Sequence, residues 1–374
     1  MKRSLALMTP PRRMLILAEG KLGPVTSKTA NGAIAFLKEQ VVAVIDSRQA
    51  GRTAQDVLGY GGEIPIVRDM NECMTFRPDT LLIGIAPPGG RLPASWRPFV
   101  IEALQRKLDV LAGLHTFLSD DPEFVTLAEE KGCRILDLRK VPESSKIVSR
   151  GSWRRRQGRA ILTVGTDCKI GKMTTLLAIN TEWKRRGAKC DFIGTGQTGI
   201  LIAGKGVSVD AVIGDYIAGS VEKEIELSDA AGNDYILVEG QGALTHQGYS
   251  SVTLGLMHGT MPDAMILCHQ PTRQRDDYGF ELPELRRLIR LHEELVGFFR
   301  ATKIVGIGLS SVGMTDEESR RAAARIEEDT GLPTVDAFRF GGAKLVDALV
   351  DYLGSAPRPT FPEPISFPGA TPTH

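Results

Sequence analysis

The sequence is short of cysteine, of net charge and of long apolar runs, and each shortage removes a class of function. Its 374 residues include five cysteines (Cys73, Cys133, Cys168, Cys190 and Cys268), odd in number and without C-x-x-C spacing. That scatter supports neither a disulfide framework nor a structural zinc site, and it fits a reducing cytoplasm. A formal net charge of +1 gives no global signal for nucleic acid or membrane. No apolar run approaches membrane-spanning length, and the early "SLALM" is too short for a signal-peptide core. There is no internal repeat, and the G-x-G-x-x-G fingerprint of dinucleotide binding is missing. Together these absences predict a cytoplasmic protein with small-molecule partners, long enough for two domains.

What is present is a repeated alternation of short apolar runs with helical patterns, which predicts parallel sheets covered on both faces. Residues 1–13 read as a disordered lead-in. Residues 14–145 contain "RMLILAEG", "VVAVIDS", "EIPIVRD", "TLLIGIAP", "DVLAGLH" and "CRILDLR" as strands and read as a Rossmann-like domain. The segment 146–158 is basic and polar and reads as a solvated linker. From 159 to 355 the alternation restarts with "AILTVG", "KCDFIGTG", "DYILVEGQG", "DAMILCHQ" and "KIVGIGLSS". The last residues, 356–374, form a Pro-rich tail. The fold class is therefore α/β, with two doubly wound domains, the second of P-loop type.

The chemistry concentrates at "VGTDCKIGKMTT". A strand, a glycine-bearing loop and a helix opening on Lys172 make a phosphate cradle, because free backbone N–H groups and the helix dipole meet there. The cradle comprises Gly165, Thr166, Asp167, Cys168, Lys169, Gly171, Lys172, Met173, Thr174 and Thr175. A phosphate loop of the G-x-x-x-x-G-K-[ST] type has a magnesium-binding hydroxyl directly after the lysine. Here that position is Met173, and the hydroxyls follow at Thr174 and Thr175. One helical position is a rotation of about 100°, so Thr174 does not replace a hydroxyl at 173. A pyrophosphate that is held but not cleaved needs no such metal, whereas phosphoryl transfer depends on it. The loop therefore favours a phosphate-bearing handle over ATP hydrolysis, unless Asp167 or Glu239 rebuilds a metal site.

Other polar residues are placed at strand ends, where ligands of open α/β sheets bind. "VEGQGALTH" supplies Glu239, Gln241 and His246, with Gly240 and Gly242 as candidate oxyanion donors. "CHQPTR" supplies Cys268, His269 and Arg273, and "MHGTMPD" supplies His258 and Asp263. In the first half, "TSKTANG" puts Lys28 at a helix start, "APPGGR" sets Gly90 and Arg91 in a stiff loop, and "GLH" ends on His115. Arg273, Arg91 and Lys28 are candidates to clamp substrate carboxylates. His246 and then His269 are the candidate general bases, with Gln241 and Glu239 beside them. The histidine spacings match no zinc signature, so no metal is expected.

"GTDCKIGKMTT", "GQTGI", "VEGQGAL", "SSVTLGLMHG" and "PDAMILCH", preceded by "VIDSRQAG", "IGIAPPGG" and "GLHTFLSDDP", resemble domain-of-unknown-function family 1611 over almost the whole chain. The loop alone also resembles that of dethiobiotin synthetases. The family includes an N-acetyltransferase acting on D-glutamate. The resemblance implies acetyl-coenzyme A as co-substrate, its phosphates on the Lys172 loop, and an acidic amino acid as acceptor; by their places at strand ends and in glycine-containing loops, His115, His258 and Gly90 are further candidates for substrate binding. Two other readings stay open: an ATP-dependent ligase or kinase using Mg²⁺, and a nucleotide-sensing regulator. A homo-oligomer is expected from the general frequency of symmetric assemblies.

Overall fold

A computed structural model describes residues 11–24, 26–85 and 87–355. Most of the expected lead-in and the whole Pro-rich tail lie outside the described residues. The chain builds two parallel sheets of six strands each. The first contains β1 (Met14–Leu17), β2 (Val41–Ile45), β3 (Ile66–Val67), β4 (Thr80–Ile83), β5 (Asp109–Ala112) and β6 (Ile135–Asp137), in the order β3-β2-β1-β4-β5-β6. The second contains β7 (Arg159–Gly165), β8 (Cys190–Ile193), β9 (Tyr235–Val238), β10 (Ala264–His269), β11 (Ile304–Leu309) and β12 (Thr334–Val335), in the order β12-β11-β10-β7-β9-β8. The expected α/β class with a Rossmann-like first half and a P-loop second half is what the chain adopts.

The central strands are continuous apolar runs because helices cover both sheet faces. Leu15, Ile16 and Leu17 of β1, Leu81 and Leu82 of β4, and Ile266 and Leu267 of β10 are fully buried. Each such side chain contributes about 1.5–3 kcal/mol on leaving water. Two of the apolar clusters cross between the halves. Ile200 and Leu201 of the second half pack with Met14, Ile16 and Ile34 of the first, and Phe36 packs on the cluster around Met173 and Leu177.

A Rossmann-type domain can bind the ribose of a dinucleotide through an acid at the end of its second strand. Asp46 holds that place here, but its carboxylate accepts from the backbone N–H groups of Gly20, Leu22 and Arg48 at 2.9–3.1 Å. The acid is spent in tying down the loop after β1. The Asp46 carboxylate is therefore not free to hold a ribose.

The segment read as a solvated linker is not solvated throughout. Glu222 accepts from the N–H groups of Arg150 and Ser152, and Trp153 is buried. Arg156, Arg159 and Arg300 converge on buried Asp263 at 2.7–3.0 Å. The basic run is therefore anchored to the second half by a carboxylate that its own sequence does not contain. Among the described residues, no helix is long and apolar enough to cross a membrane.

Candidate functional site

The carboxyl ends of β7, β9 and β10 bring the phosphate loop, the Glu239–Gly242 turn and His269 to one edge. Gly171 takes a left-handed φ of 93° immediately before the helix Lys172–Arg185, so the loop turns sharply onto the helix axis. Lys172 is buried, and its Nζ donates to the Asp167 carbonyl at 2.7 Å. Burial pushes the Lys172 pKa down; Cys168 and Cys268 oppose the shift, and Lys28 adds to it. The lysine thus lies folded back on its loop, a charge that an incoming anion would relieve.

Met173 is buried on the first half of the protein. A Cβ built on Gly32 would lie 3.7 Å from Met173 Cε and 2.3 Å from Thr198 Cγ2, so the helix Lys28–Phe36 approaches closely at a glycine. The position that holds a magnesium hydroxyl in other phosphate loops is here an apolar seam between the two halves. Thr174 does not compensate, because its hydroxyl donates to the Gly171 carbonyl at 2.9 Å. Thr175 is buried against Gly308.

Asp167, Cys168 and His246 offer ligand atoms within 4.8 Å of one another. The chemistry of the set nevertheless disfavours a metal. The Gly248 N–H donates to His246 Nδ1 at 3.2 Å, so a neutral ring carries its proton on Nε2, which faces Asp167 Oδ1 at 3.9 Å. That nitrogen donates rather than ligates. Arg273 Nε already stands 2.5 Å from Asp167 Oδ2, and burial pushes the Cys168 thiol up, keeping it protonated. A protonated thiol is also a poor acyl carrier.

The same geometry revises the first choice of base. With Nδ1 accepting from Gly248 and Nε2 protonated, His246 has no lone pair left for substrate. His269 is half-buried, with Nδ1 3.2 Å from the Thr166 hydroxyl. Burial lowers its pKa to about 4, so it is neutral at pH 7 and only weakly basic. Arg273 was expected to clamp a carboxylate of the substrate, but it is held by Asp167 and, at 2.7 Å, by Asp277. Gly240 is not a free oxyanion donor, since its N–H donates to Thr163 Oγ1 at 3.0 Å. His258 does not join the site. It lies near the end of the helix Ser250–Thr260, edge-on to Phe299 at 5.6 Å, where the chain returns to the amino ends of the strands.

Glu239 does face the loop, and it is buried. Its Oε2 accepts from the N–H groups of Thr195 and Gly196 at 2.9 and 3.2 Å, fixing the turn that leads into the helix Gln197–Ala203. Burial raises its pKa, opposed by Lys28, by these two N–H groups and by Lys172. Lys28, exposed at the start of its helix, is therefore within electrostatic reach of both Glu239 and Lys172. Gln241 lies beside Gly196 on the same rim.

The first half closes the opposite wall. Arg139, which sequence reasoning passed over, donates to Gly113 O and Gln197 Oε1 at 2.8 Å each and pairs with Asp210. Burial lowers its pKa to about 10. His115 lies next to it, and partial burial, followed by the Arg139 charge, lowers the imidazole pKa below its ordinary value. Gly90 fits beneath that ring: a Cβ there would lie 2.3–2.7 Å from His115 atoms. Its carbonyl accepts from the His115 and Thr116 N–H groups. Arg91 follows and is exposed. A surface cavity of about 570 Å³ lined by Arg286, Arg290 and Lys303 lies by the start of β11, at the other sheet edge, and takes no part.

Comparison with known proteins agrees with this two-part architecture. The model of the DUF1611 C-terminal P-loop domain, a domain of unknown function, matches residues 147–346, and the model of its Rossmann-like N-terminal domain matches residues 47–141. A protein of Tritonibacter scottomollicae named D-glutamate N-acetyltransferase is 42% identical over 275 residues, covering 72% of this chain and 80% of the relative. One of the same name from a Pseudoalteromonas species is 35% identical over 278 residues, covering 73% and 81%. The crystal structure of a DUF1611 family protein from Anabaena variabilis superimposes with a TM-score of 0.86 at 34% identity, over 91% of this chain and 99% of that one.

Proposed function

The chain belongs to the DUF1611 family, and from that premise we propose that it moves an acetyl group from acetyl-coenzyme A to the amine of D-glutamate, as a step of amino-acid breakdown. The observation that carries this reading is Met173. A phosphate loop whose metal position is filled by a side chain packed on Gly32 suits a pyrophosphate that is gripped and left intact.

In this reading the coenzyme A pyrophosphate lies on the loop N–H groups and Lys172. The pantetheine arm separates the thioester from the pyrophosphate by many bonds, so acyl transfer takes place across the cleft rather than at the lysine. His115, on the facing wall and favoured in its neutral form, removes a proton from the ammonium group. The free amine attacks the thioester carbonyl, a C–N bond forms and the C–S bond breaks. The thiolate leaves and takes up the second proton of the attacking nitrogen, and His115 passes the first to solvent. Lys28 and Arg91, two exposed cations of the first half, hold the carboxylates of the acceptor. The Gln241 amide is the candidate donor to the developing oxyanion, since Gly240 is committed elsewhere.

The test is thermal-shift binding of coenzyme A without metal, beside ATP with and without Mg²⁺, followed by thiol release from acetyl-coenzyme A with D-glutamate. Metal-free stabilisation by coenzyme A, lost in Lys172→Ala, and D-glutamate-dependent thiol release are expected. Stabilisation by Mg-ATP alone would replace this reading by the ligase or kinase. His115→Ala should lower kcat by roughly 10²-fold or more, whereas His258→Ala should not change it.

A further inference from the structure

Large aromatic side chains gather at the mouth of the phosphate loop and stay exposed. Tyr249 is 51% exposed and Tyr278 58% exposed, although both touch a histidine that is almost fully buried. The Tyr249 ring stacks on His246 at 4.9 Å and 27°, so the exposed half of the residue is the side turned away from the buried imidazole. Tyr278 meets the same imidazole edge-on at 5.4 Å. Tyr278 is at the tip of a hairpin, in the turn Asp276–Gly279, closed by the Arg275–Glu281 bridge. That hairpin is tied to the phosphate loop by the Lys169–Asp277 and Arg273–Asp167 ion pairs. The rings are thus held in place beside the loop.

A second, independent observation points to a ligand. His246 Nε2, in the ring on which Tyr249 stacks, is buried without a hydrogen-bond partner; the nearest carboxylate oxygen, Asp167 Oδ1 of the loop, stands 3.9 Å away. Buried polar atoms are ordinarily satisfied by protein, water or ligand. An exposed aromatic face next to a phosphate cradle is the arrangement on which a nucleobase stacks, since every base has a π-face.

We propose that the outward faces of Tyr249 and Tyr278 form a stacking platform for the purine base of the ligand whose phosphates occupy the Lys172 loop. The platform rests on the reading that this loop holds a nucleotide-bearing molecule. It adds that the molecule is recognised by its base as well as by its phosphates. Arg273 and Lys169 supply positive charge along the path from ring to loop. No bond is made or broken on the platform.

The experiment compares ADP with inorganic pyrophosphate by titration calorimetry, without metal, on the full-length protein and on Tyr249→Ala, Tyr249→Phe and Tyr278→Ala. Wild type should bind ADP about 10-fold or more tighter than pyrophosphate, the loss typical of removing one stacked base. The alanine variants should lose that preference while keeping their affinity for pyrophosphate, and Tyr249→Phe should restore it. A folded alanine variant that keeps the full preference overturns the platform, as does equal affinity of wild type for the two ligands. If neither ligand binds, the phosphate-loop reading fails and the platform with it. If the ADP preference behaves as expected but coenzyme A does not bind, the platform stands and the acetyl-donor reading falls.

Discussion

Truncating Met173 separates packing from metal chemistry. The side chain is 9% exposed and belongs to the apolar cluster with Leu176, Leu177 and Ile179. Met173→Ala removes it from a seam in which the facing backbone is already a glycine, so little can collapse into the gap. A buried Met→Ala change costs about 2–5 kcal/mol, and the poor scope for collapse places this one in the upper half of that range. Met173→Thr restores a hydroxyl of the kind that binds magnesium and refills part of the volume. It also buries a polar group, which costs about 1–3 kcal/mol if unpaired. Both variants should therefore unfold at clearly lower urea concentration than wild type, while Lys172 and the loop backbone still hold coenzyme A without metal. Gly32→Ala approaches the same seam from the other side: its Cβ would stand 2.3 Å from Thr198 Cγ2, and overpacking of this kind costs about 1–3 kcal/mol. The assay is equilibrium urea unfolding beside calorimetric titration with coenzyme A and with ATP, each with and without Mg²⁺. The reasoning is refuted if Met173→Ala is as stable as wild type, or if wild type binds coenzyme A only when Mg²⁺ is present.

His292 is buried with Nδ1 2.7 Å from the Leu288 carbonyl, and burial holds its pKa to about 4. Its folded pKa lies below the unfolded value of about 6.5, so unfolding takes up a proton between those values. Its share of stability is present above about pH 6.5 and is lost as pH falls toward about 4, at up to about 1.4 kcal/mol per pH unit. His292→Leu should flatten the fall of stability over that window, as read by urea unfolding at a series of pH values; an unchanged slope counts against a neutral buried imidazole. Asp263→Asn leaves Arg156, Arg159 and Arg300 buried around a neutral amide and should cost about 3–5 kcal/mol. Coenzyme A affinity of the folded variant should be unaltered, because the cluster is at the far sheet edge, and a large loss of affinity would refute that separation. Gly90→Ala drives a methyl into the His115 ring and should lower kcat more than it raises the KM for acetyl-coenzyme A; an unchanged kcat argues against His115 as the base.

The parallel strands were legible because "MLIL", "VVAVI" and "AMILC" are uninterrupted apolar runs that only a doubly covered sheet accommodates. The helix Gln197–Ala203 was not read, because "GQTGILIAG" has neither helical periodicity nor a polar cap. Its glycines admit close contacts that are visible only in space, such as Gly199 against Glu239. The phosphate loop was found from its order along the chain, whereas the meaning of Met173 depended on Gly32, far away in sequence. The histidines misled for a different reason. Position at a strand end identifies the edge of the sheet, but tautomer and burial decide whether a ring can accept a proton. His246 failed on the tautomer, because its Nδ1 accepts from Gly248, and His258 on place, because it sits beside Phe299 at the end of its helix. Arg139 gave no signal, because "DLRK" reads as an ordinary strand exit until Gln197 and Asp210 arrive from the other half.

That arginine bears on whether the protein can be divided. A fragment beginning near residue 147 would contain the whole phosphate loop, yet it would lack the guanidinium that engages Gln197 and Asp210. It would also leave Ile200, Leu201 and Met173 facing water, where the first half now covers them. The halves resemble separable modules in their topology, but their seam is built like an interior. Grafting either half onto another protein would therefore require its cognate surface to travel with it.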